Sequence, residues 1–370
     1  MEALVKVWCG SINGDEWRDT KLSEKGRTVL VTGNLGYIGT VLVPLLRARG
    51  WEVIGLDTGF FPPDSFFSAG AGPHHQIMGD VRDIGPNDLP EVDAVVHLAA
   101  LSNDPMGALD PALTEEINHA ASIRMAEIAK KKGARRFIFS SSCSIYGAGA
   151  SLSLTEEDPQ VPQTAYARSK VATERDLASM ASDDFSPVYL RNATAFGLSP
   201  SMRFDLVVSN LTGWGWVEGK VKILSDGTPW RPLVHIKDIS AVMVEALEAD
   251  RAKIHNEAFN VGRDSNNYQI RTIASAVRDL LPQTDIVYAG SGEPDRRDYN
   301  VSFKKLGTLR EEPLVKWSIE AGVAELVGAL HVRGLTAEEF SGPPAVRLKR
   351  LESLSRSGEL DGTLRWSGRG

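Results

Sequence analysis

Thr28-Val29-Leu30-Val31-Thr32-Gly33-Asn34-Leu35-Gly36-Tyr37-Ile38-Gly39 passes from a short apolar, β-branched stretch into three glycines spaced three apart. Apolar residues then recur at Val41, Leu42, Leu45 and Leu46 with helical spacing as far as Gly50. The pattern predicts strand, glycine turn, helix. Glycines at such a turn let the backbone approach a pyrophosphate, whose charge is stabilised by unpaired N–H groups at the start of the helix. The next apolar run, Trp51 to Leu56, ends on Asp57, close to the ~20-residue spacing of a carboxylate that meets a ribose. Such a carboxylate accepts hydrogen bonds from a 2′-hydroxyl and repels a 2′-phosphate, which favours NAD over NADP.

Further apolar runs near Gln76 to Met78, at Ala94 to Leu98 and at Phe137 to Phe139 alternate with helical segments, Pro111 to Lys132 among them. This alternation predicts an α/β fold, a doubly wound parallel (Rossmann) sheet with ligands outside the carboxyl ends of its strands. Beyond about residue 190 the pattern loosens into Gly-, Trp- and Pro-rich segments, and a smaller C-terminal α/β lobe is expected there.

Composition agrees with a globular enzyme-sized chain. With 370 residues, 42% hydrophobic and 24% charged, it has enough apolar material for a sizeable core, and disorder, collagen and coiled coil are excluded. No apolar run approaches the ~20 residues that cross a bilayer, and Met1 to Lys25 lacks the apolar stretch of a signal peptide, so a cytoplasmic protein without a membrane partner is expected. Two cysteines, Cys9 and Cys143, argue against a disulfide framework or a zinc cluster, and no metal is expected. A net charge of -7 disfavours nucleic acid as a partner.

Tyr166-Ala167-Arg168-Ser169-Lys170 puts a phenol and an ammonium four residues apart, on one helical face, after a strand that ends in Ser140-Ser141-Ser142. A hydroxyl, a phenol and an ammonium beside a nicotinamide form a set for hydride chemistry. The ammonium and the positive ring favour the phenolate, and the serine aligns the same substrate oxygen.

At these residues the chain resembles the extended short-chain dehydrogenase/reductase family, and within it the NAD-dependent nucleotide-sugar epimerase/dehydratase group of UDP-glucose 4-epimerase-like proteins. The resemblance is carried by Thr32 to Gly39, Asp57, Gly79-Asp80-Val81, His97 to Ala100, Asn118, Ser140 to Gly147, Tyr166 to Lys170 and Trp230 to Asp238. It implies Ser142, Tyr166 and Lys170 as catalytic residues. It implies cofactor positions at Gly33, Asn34, Leu35, Gly36, Tyr37, Ile38, Gly39, Asp57, Asp80, Val81, Leu98, Ala99, Ala100, Asn118 and Ser140, besides Tyr166 and Lys170. On the substrate side it implies Arg231 and Arg296 or Arg297 for a nucleotide-sugar pyrophosphate, and Thr194 where many members carry asparagine. Ser102, Ser142, Cys143, Ser144 and Tyr166 complete that side, although Cys143 reads first as a packed small residue. The domains expected are an extension (1–27), the NAD-binding sheet with later segments returning to it (28–190), a substrate lobe (191–330) and a basic tail (331–370).

Family members share oxidation of a sugar hydroxyl, usually at C4, and differ in the fate of the ketone it yields. A 4,6-dehydratase places an acid and a carboxylate directly after the catalytic hydroxyl residue, where this chain has Cys143 and Ser144. A 4-epimerase needs no second base, and that is the reaction expected. A ketoreductase, a decarboxylase, and from another class a non-catalytic NAD-binding scaffold or sensor, are the alternatives. The apolar faces of Pro111 to Lys132 and Gln163 to Ala181 lead to an expected homodimer through a four-helix bundle.

Overall fold

The computed structural model describes residues 27–63, 65–147, 153–288 and 298–368. Most of the expected extension, and with it Cys9, lies outside the described residues, as do Arg296 and Arg297. The strands are β1 (Arg27–Thr32), β2 (Trp51–Asp57), β3 (His75–Met78), β4 (Ala94–His97), β5 (Arg136–Ser142), β6 (Ser186–Asn192), β7 (Thr194–Phe196), β8 (Lys220–Ile223), β9 (Trp230–His235), β10 (Glu257–Val261), β11 (Asn267–Gln269) and β12 (Asp285–Tyr288). Seven form one sheet in the order β10-β6-β5-β4-β1-β2-β3, every pairing parallel. The expected doubly wound sheet is the one observed.

The period-two rule explains why β1 lies in the interior of the sheet. Val29 and Val31 join a core cluster with Leu42 and Leu46 of the helix Gly39–Ala48. Leu30, pointing the other way, joins Met125 and Phe137 in a second cluster with the helix Ala121–Lys131. Both faces are therefore covered, and each fully buried side chain of this kind contributes roughly 1.5–3 kcal/mol. β1 pairs with β2 on one side and β4 on the other, so chain crossovers leave in opposite directions and open a crevice beyond Thr32.

The stretch Pro111 to Lys132 is not one regular helix. It comprises Pro111–Glu115, a π turn at Glu116–Ala120 and Ala121–Lys131. Such widened turns are frequent at functional sites. Here the turn holds Asn118, whose side chain accepts from Leu101 N at 2.7 Å and donates to Leu101 O at 3.1 Å.

After β6 the chain builds a second group of elements. β11, β9 and β7 form a three-stranded sheet and β12 pairs with β8. The helices Val207–Glu218, Ile270–Leu280 and Ile319–Arg333 share a cluster with Phe196, Val221 and Leu233. The segment expected as a basic tail is folded: it includes the helix Arg347–Arg356 and packs through Leu351, Leu354, Leu360 and Leu364 against Phe60, Leu101, Met106, Leu113 and Ile117, on the loops and helical segments that follow β2 and β4.

Candidate active site

The glycine turn packs against its own surroundings. Gly33 has φ +73°, and a Cβ there would stand 2.8 Å from Ala99 N; at Gly39 a Cβ would stand 2.5 Å from Gly33 O. Gly36 differs, because a Cβ there would meet only Gly33 O, at 3.2 Å. Its outer side is open towards the crevice. Tyr37 and Ile38 precede the helix Gly39–Ala48, which has no side-chain cap, and their N–H groups make no backbone hydrogen bond among the described residues. Unpaired donors at a helix start beside an open glycine make a fitting cradle for a pyrophosphate.

Other turn residues use their side chains elsewhere. Asn34 is buried and donates to Gln76 Oε1 at 2.7 Å, and Tyr37 is buried and donates to Gly197 O at 2.7 Å. Both can meet a cofactor only through their backbone. Leu35 N donates to Asp57 Oδ2 at 3.0 Å, and Gly59 N to Asp57 Oδ1 at 2.9 Å, so Leu35 fixes Asp57 and has no N–H to spare. Burial holds the Asp57 carboxyl above its ordinary range, with those two N–H groups opposing. Asp80, expected near the adenine, is gripped by Arg82, which donates from Nε at 3.0 Å and from Nη2 at 2.6 Å. Val81 is buried in the core beside it. Leu98 N bonds Thr32 O at 3.0 Å and Ala99 N bonds Thr32 Oγ1 at 3.3 Å, which leads Ala99 and Ala100 along the crevice wall.

Ser142 ends β5 and Tyr166 stands in the first turn of the helix Ala165–Ser179, and the serine hydroxyl is near enough to the phenol to act on its pKa. Burial pushes the Tyr166 phenol up to about 12, with Asp104 adding to the rise and Ser142 opposing it. Lys170 is buried; its Nζ donates to Ser140 O at 2.8 Å and stands 5.7 Å from the centre of the Tyr166 ring. Desolvation pushes its pKa down to about 7, against the pull of Glu174. The Ser140 hydroxyl accepts from Asn192 Nδ2 at 3.0 Å, so Ser140 serves Lys170 through its carbonyl. Asn118 Nδ2 donates to Ser169 Oγ at 3.3 Å, tying the π turn to the helix that carries Tyr166 and Lys170.

Histidines here are structural. His97 bridges Thr32 Oγ1 and Ser122 Oγ, each at 2.8 Å, and burial pushes its pKa down to about 3, so the ring beside Lys170 is neutral. His235 lies 4.1 Å from the Trp317 ring in a stack, with Glu325 Oε2 at 3.1 Å from its Nε2.

The substrate-side expectations divide. Cys143 does not face the crevice: it is fully buried, its thiol donates to Arg191 O at 3.1 Å, and burial pushes its pKa up, which withdraws it from proton transfer. Ser144 Oγ, by contrast, is a buried hydroxyl without a hydrogen-bond partner among the described residues, two residues from Ser142. Thr194 opens β7, half-buried, and Arg231 is buried in β9 with Nη1 on Trp230 O at 2.7 Å. Ser102 is exposed and accepts from Arg203 Nη1 at 2.9 Å. Trp214 and Trp216 pack edge-on against Phe340 and His331.

Arg203 was not expected. It is buried, chelates Asp205 through Nε at 2.9 Å and Nη2 at 2.8 Å, and brings a positive charge to bear on Tyr166. Asn103 Nδ2 donates to Asp205 Oδ2 at 2.8 Å, so this pair joins the loop after β4 to the second group of elements. No local signal in Met202-Arg203-Phe204-Asp205 announces it, because its partners are about a hundred positions away.

A parallel sheet with a glycine cradle at its switch point and a serine, a tyrosine and a lysine beside it defines a nucleotide-dependent oxidoreductase-type enzyme of the extended short-chain dehydrogenase/reductase class. The chain belongs to the NAD dependent epimerase/dehydratase family, whose description matches residues 29–262, and its cofactor is NAD. Among its relatives, UDP-glucose 4-epimerase 4 of Oryza sativa subsp. japonica is 27% identical over 334 residues, which covers 81% of this chain and 88% of that one. UDP-glucose 4-epimerase of Bacillus subtilis (strain 168) is 26% identical over 334 residues, covering 80% and 94%. MoeE5, solved in complex with UDP-glucuronic acid and NAD, superposes with a TM-score of 0.72 at 25% identity, covering 82% of this chain and 99% of that one. Among the described residues no helix is long and apolar enough to cross a membrane.

Proposed function

We propose that the protein is an NAD-dependent nucleotide-sugar 4-epimerase and that its substrate is a UDP-hexose. The observation that carries this reading is the content of the site beside Ser142: Tyr166 and Lys170 are in place, while the following position holds a thiol bonded to Arg191 O and withdrawn from proton transfer. Proton exchange at one oxygen is what such a set can do. Elimination of a C6 hydroxyl needs a further acid and base there. The named relatives and the UDP-sugar held by MoeE5 support UDP as the nucleotide.

NAD, when bound, supplies a hydride acceptor that later gives the hydride back. Tyr166 Oη takes the proton of the C4 hydroxyl, and Ser142 Oγ holds the same oxygen in line. Lys170, anchored on Ser140 O, lowers the cost of the phenolate by its charge. The C4 ketone then turns over in the pocket, and Tyr166 returns the proton when hydride reaches the opposite face. We assign the crevice and residues 28–190 to the cofactor, residues 191–330 mainly to the sugar nucleotide, and Arg231 to its pyrophosphate. Arg296 is assigned the same partner.

The test is incubation of the purified protein with UDP-glucose carrying deuterium at C4. Formation of UDP-galactose that keeps the label on C4 is the expected result. No inversion with UDP-, GDP-, CDP- and dTDP-hexoses, or accumulation of a 4-keto-6-deoxy product, would overturn the reading.

We also propose a homodimer. The apolar positions Leu113, Ile117, Met125 and Leu177 are buried within the protomer and Ile123 and Val171 pack partly against its core, which leaves Ala112 and Ala120 exposed and Ala172 half-buried on the two helical segments. Light scattering at micromolar concentration is expected to give twice the 40.2 kDa of the chain; a mass of one chain rules the dimer out.

A further inference from the structure

Residues 347–366 fold back over the carboxyl ends of β2, β3 and β4. Arg350 Nε donates to Phe60 O at 3.0 Å and Trp366 Nε1 to Thr58 O at 2.7 Å, both on the loop that follows Asp57. On the loop that follows Asp80, Arg82 donates to Thr363 O at 2.8 Å and Leu364 O at 3.2 Å, and Arg365 pairs with Asp83 at 3.1 Å. Leu351, Leu354, Leu360 and Leu364 bury themselves against Phe60 and Leu101. The segment is thus fastened to the loops after β2, β3 and β4, the strand ends at which a doubly wound sheet receives the adenosine half of a dinucleotide.

The first residue of this segment's helix is out of keeping with simple packing. Arg347 is 4% exposed, with its guanidinium 4.0 Å above the centre of the Phe61 ring. Nη2 donates to Ser201 O at 3.0 Å and to Ser201 Oγ at 2.7 Å; among the described residues Nε and Nη1 donate to nothing, and no carboxylate is bonded to the group. The charges of Arg203, Asp205 and Asp57 and the Tyr37 phenol act on it, so it lies within electrostatic reach of the carboxylate that ends β2 and of the glycine turn. Asp205 is already chelated by Arg203. Burial pushes the Arg347 pKa down to about 9, with Arg203 adding to the fall, as befits a buried cation short of an anion. Unused guanidinium N–H groups in such a position suit a pyrophosphate, which takes two or more charge-assisted hydrogen bonds.

We propose that residues 347–366 are a strap that retains NAD, with Arg347 as its contact to the cofactor pyrophosphate and Trp366 as its far clasp. Resting on the epimerase reading, the strap has a purpose: the reduced cofactor must stay until the ketone has turned and hydride is returned. Slow release is useful there, where an ordinary dehydrogenase would exchange its cofactor each turnover.

The experiment measures dissociation of NAD from the full-length protein, by chasing bound radiolabelled NAD with excess unlabelled NAD and filtering. Arg347→Met is expected to speed release by about 10- to 100-fold, the worth of a lost charge-assisted hydrogen bond, and Arg347→Lys by less. Trp366→Ala, which leaves the pyrophosphate contact in place, is expected to speed release as well. Release from R347M at the wild-type rate overturns the proposal; if R347M does not fold, unchanged release from W366A overturns it in the same way. The outcomes stay separate from those of the epimerase reading: equal retention by all variants removes the strap alone, and strapped NAD without sugar inversion removes the epimerase alone.

Discussion

Tyr166→Phe is expected to lower kcat for sugar inversion by about 10²- to 10⁴-fold, the range lost with a positioned general acid–base. NAD content and thermal stability should change little. The substitution removes one oxygen from a helix whose other anchors, Lys170 on Ser140 O and Ser169 on Asn118, remain. The expected loss is large because nothing nearby can deputise. Ser142 has an unactivated hydroxyl, His97 is neutral and spends both ring nitrogens on Thr32 and Ser122, and the Cys143 thiol is turned away. Asp104 is close enough to raise the phenol but accepts from Thr164 Oγ1 at 2.6 Å. In the structure the phenol is pushed up to about 12, so at neutral pH it carries its proton until positive charge gathers around it. Lys170 supplies part of that charge. Measured turnover with UDP-glucose, alongside NAD content by absorbance, checks the prediction; a variant that keeps more than a tenth of wild-type turnover would remove Tyr166 from the chemistry.

The elements of this site that depend on short-range pattern were legible in the sequence. Val29, Leu30 and Val31 alternate between two helix layers because a strand turns its side chains to opposite faces, and the spacing of Tyr166 and Lys170 puts them on one face of a helix. The spacing of Asp57 from the glycines works for the same reason: the helix and strand between them have fixed rises. What could not be read is the choice each polar side chain makes among distant partners. Asn34 turns to Gln76, Asp80 is taken by Arg82, and Ser102 meets Arg203, contacts that depend on loops docking across the sheet. The π turn at Glu116–Ala120 is likewise invisible in a periodicity that fits an ordinary helix, since it accommodates one extra residue locally to bring Asn118 onto Leu101. In the sequence the last forty residues read only as a basic tail. In the fold, Arg82, Arg350 and Arg365 instead fasten that segment to the loops after β2 and β3, and Arg347 fastens it to Ser201.

Glu174→Gln is expected to cost about 3–5 kcal/mol of stability, the penalty for leaving a buried charge without its partner. Glu174 is 5% exposed and sits one helical turn beyond Lys170. It receives Arg191 Nη2 at 2.8 Å, Arg191 Nε at 3.2 Å and Ser141 Oγ at 2.5 Å, while Arg191 also donates to Tyr146 at 3.0 Å and to Glu156 O at 2.9 Å. Glutamine keeps the shape and loses the charge, so the buried guanidinium stays uncompensated. The same substitution acts on catalysis, because Glu174 is the anion that opposes the desolvation of Lys170. The Lys170 pKa, about 7 against an ordinary 10.5, is depressed by folding. Between those values the unfolded chain binds more protons than the folded one, so the Lys170 contribution makes stability rise with pH across that window. Below it the desolvation penalty is present in full. Without Glu174 the folded pKa falls further, the rise begins at lower pH, and the ammonium that supports the Tyr166 phenolate is lost earlier. Urea unfolding at several pH values should therefore show a lower midpoint for the variant, and its activity should decline at an alkaline limb displaced to lower pH. An unchanged midpoint would deny the buried pair its structural weight. An unmoved limb would show that Glu174 holds up the fold without tuning Lys170, and that the charge on this lysine is set by its burial and its bond to Ser140 O alone.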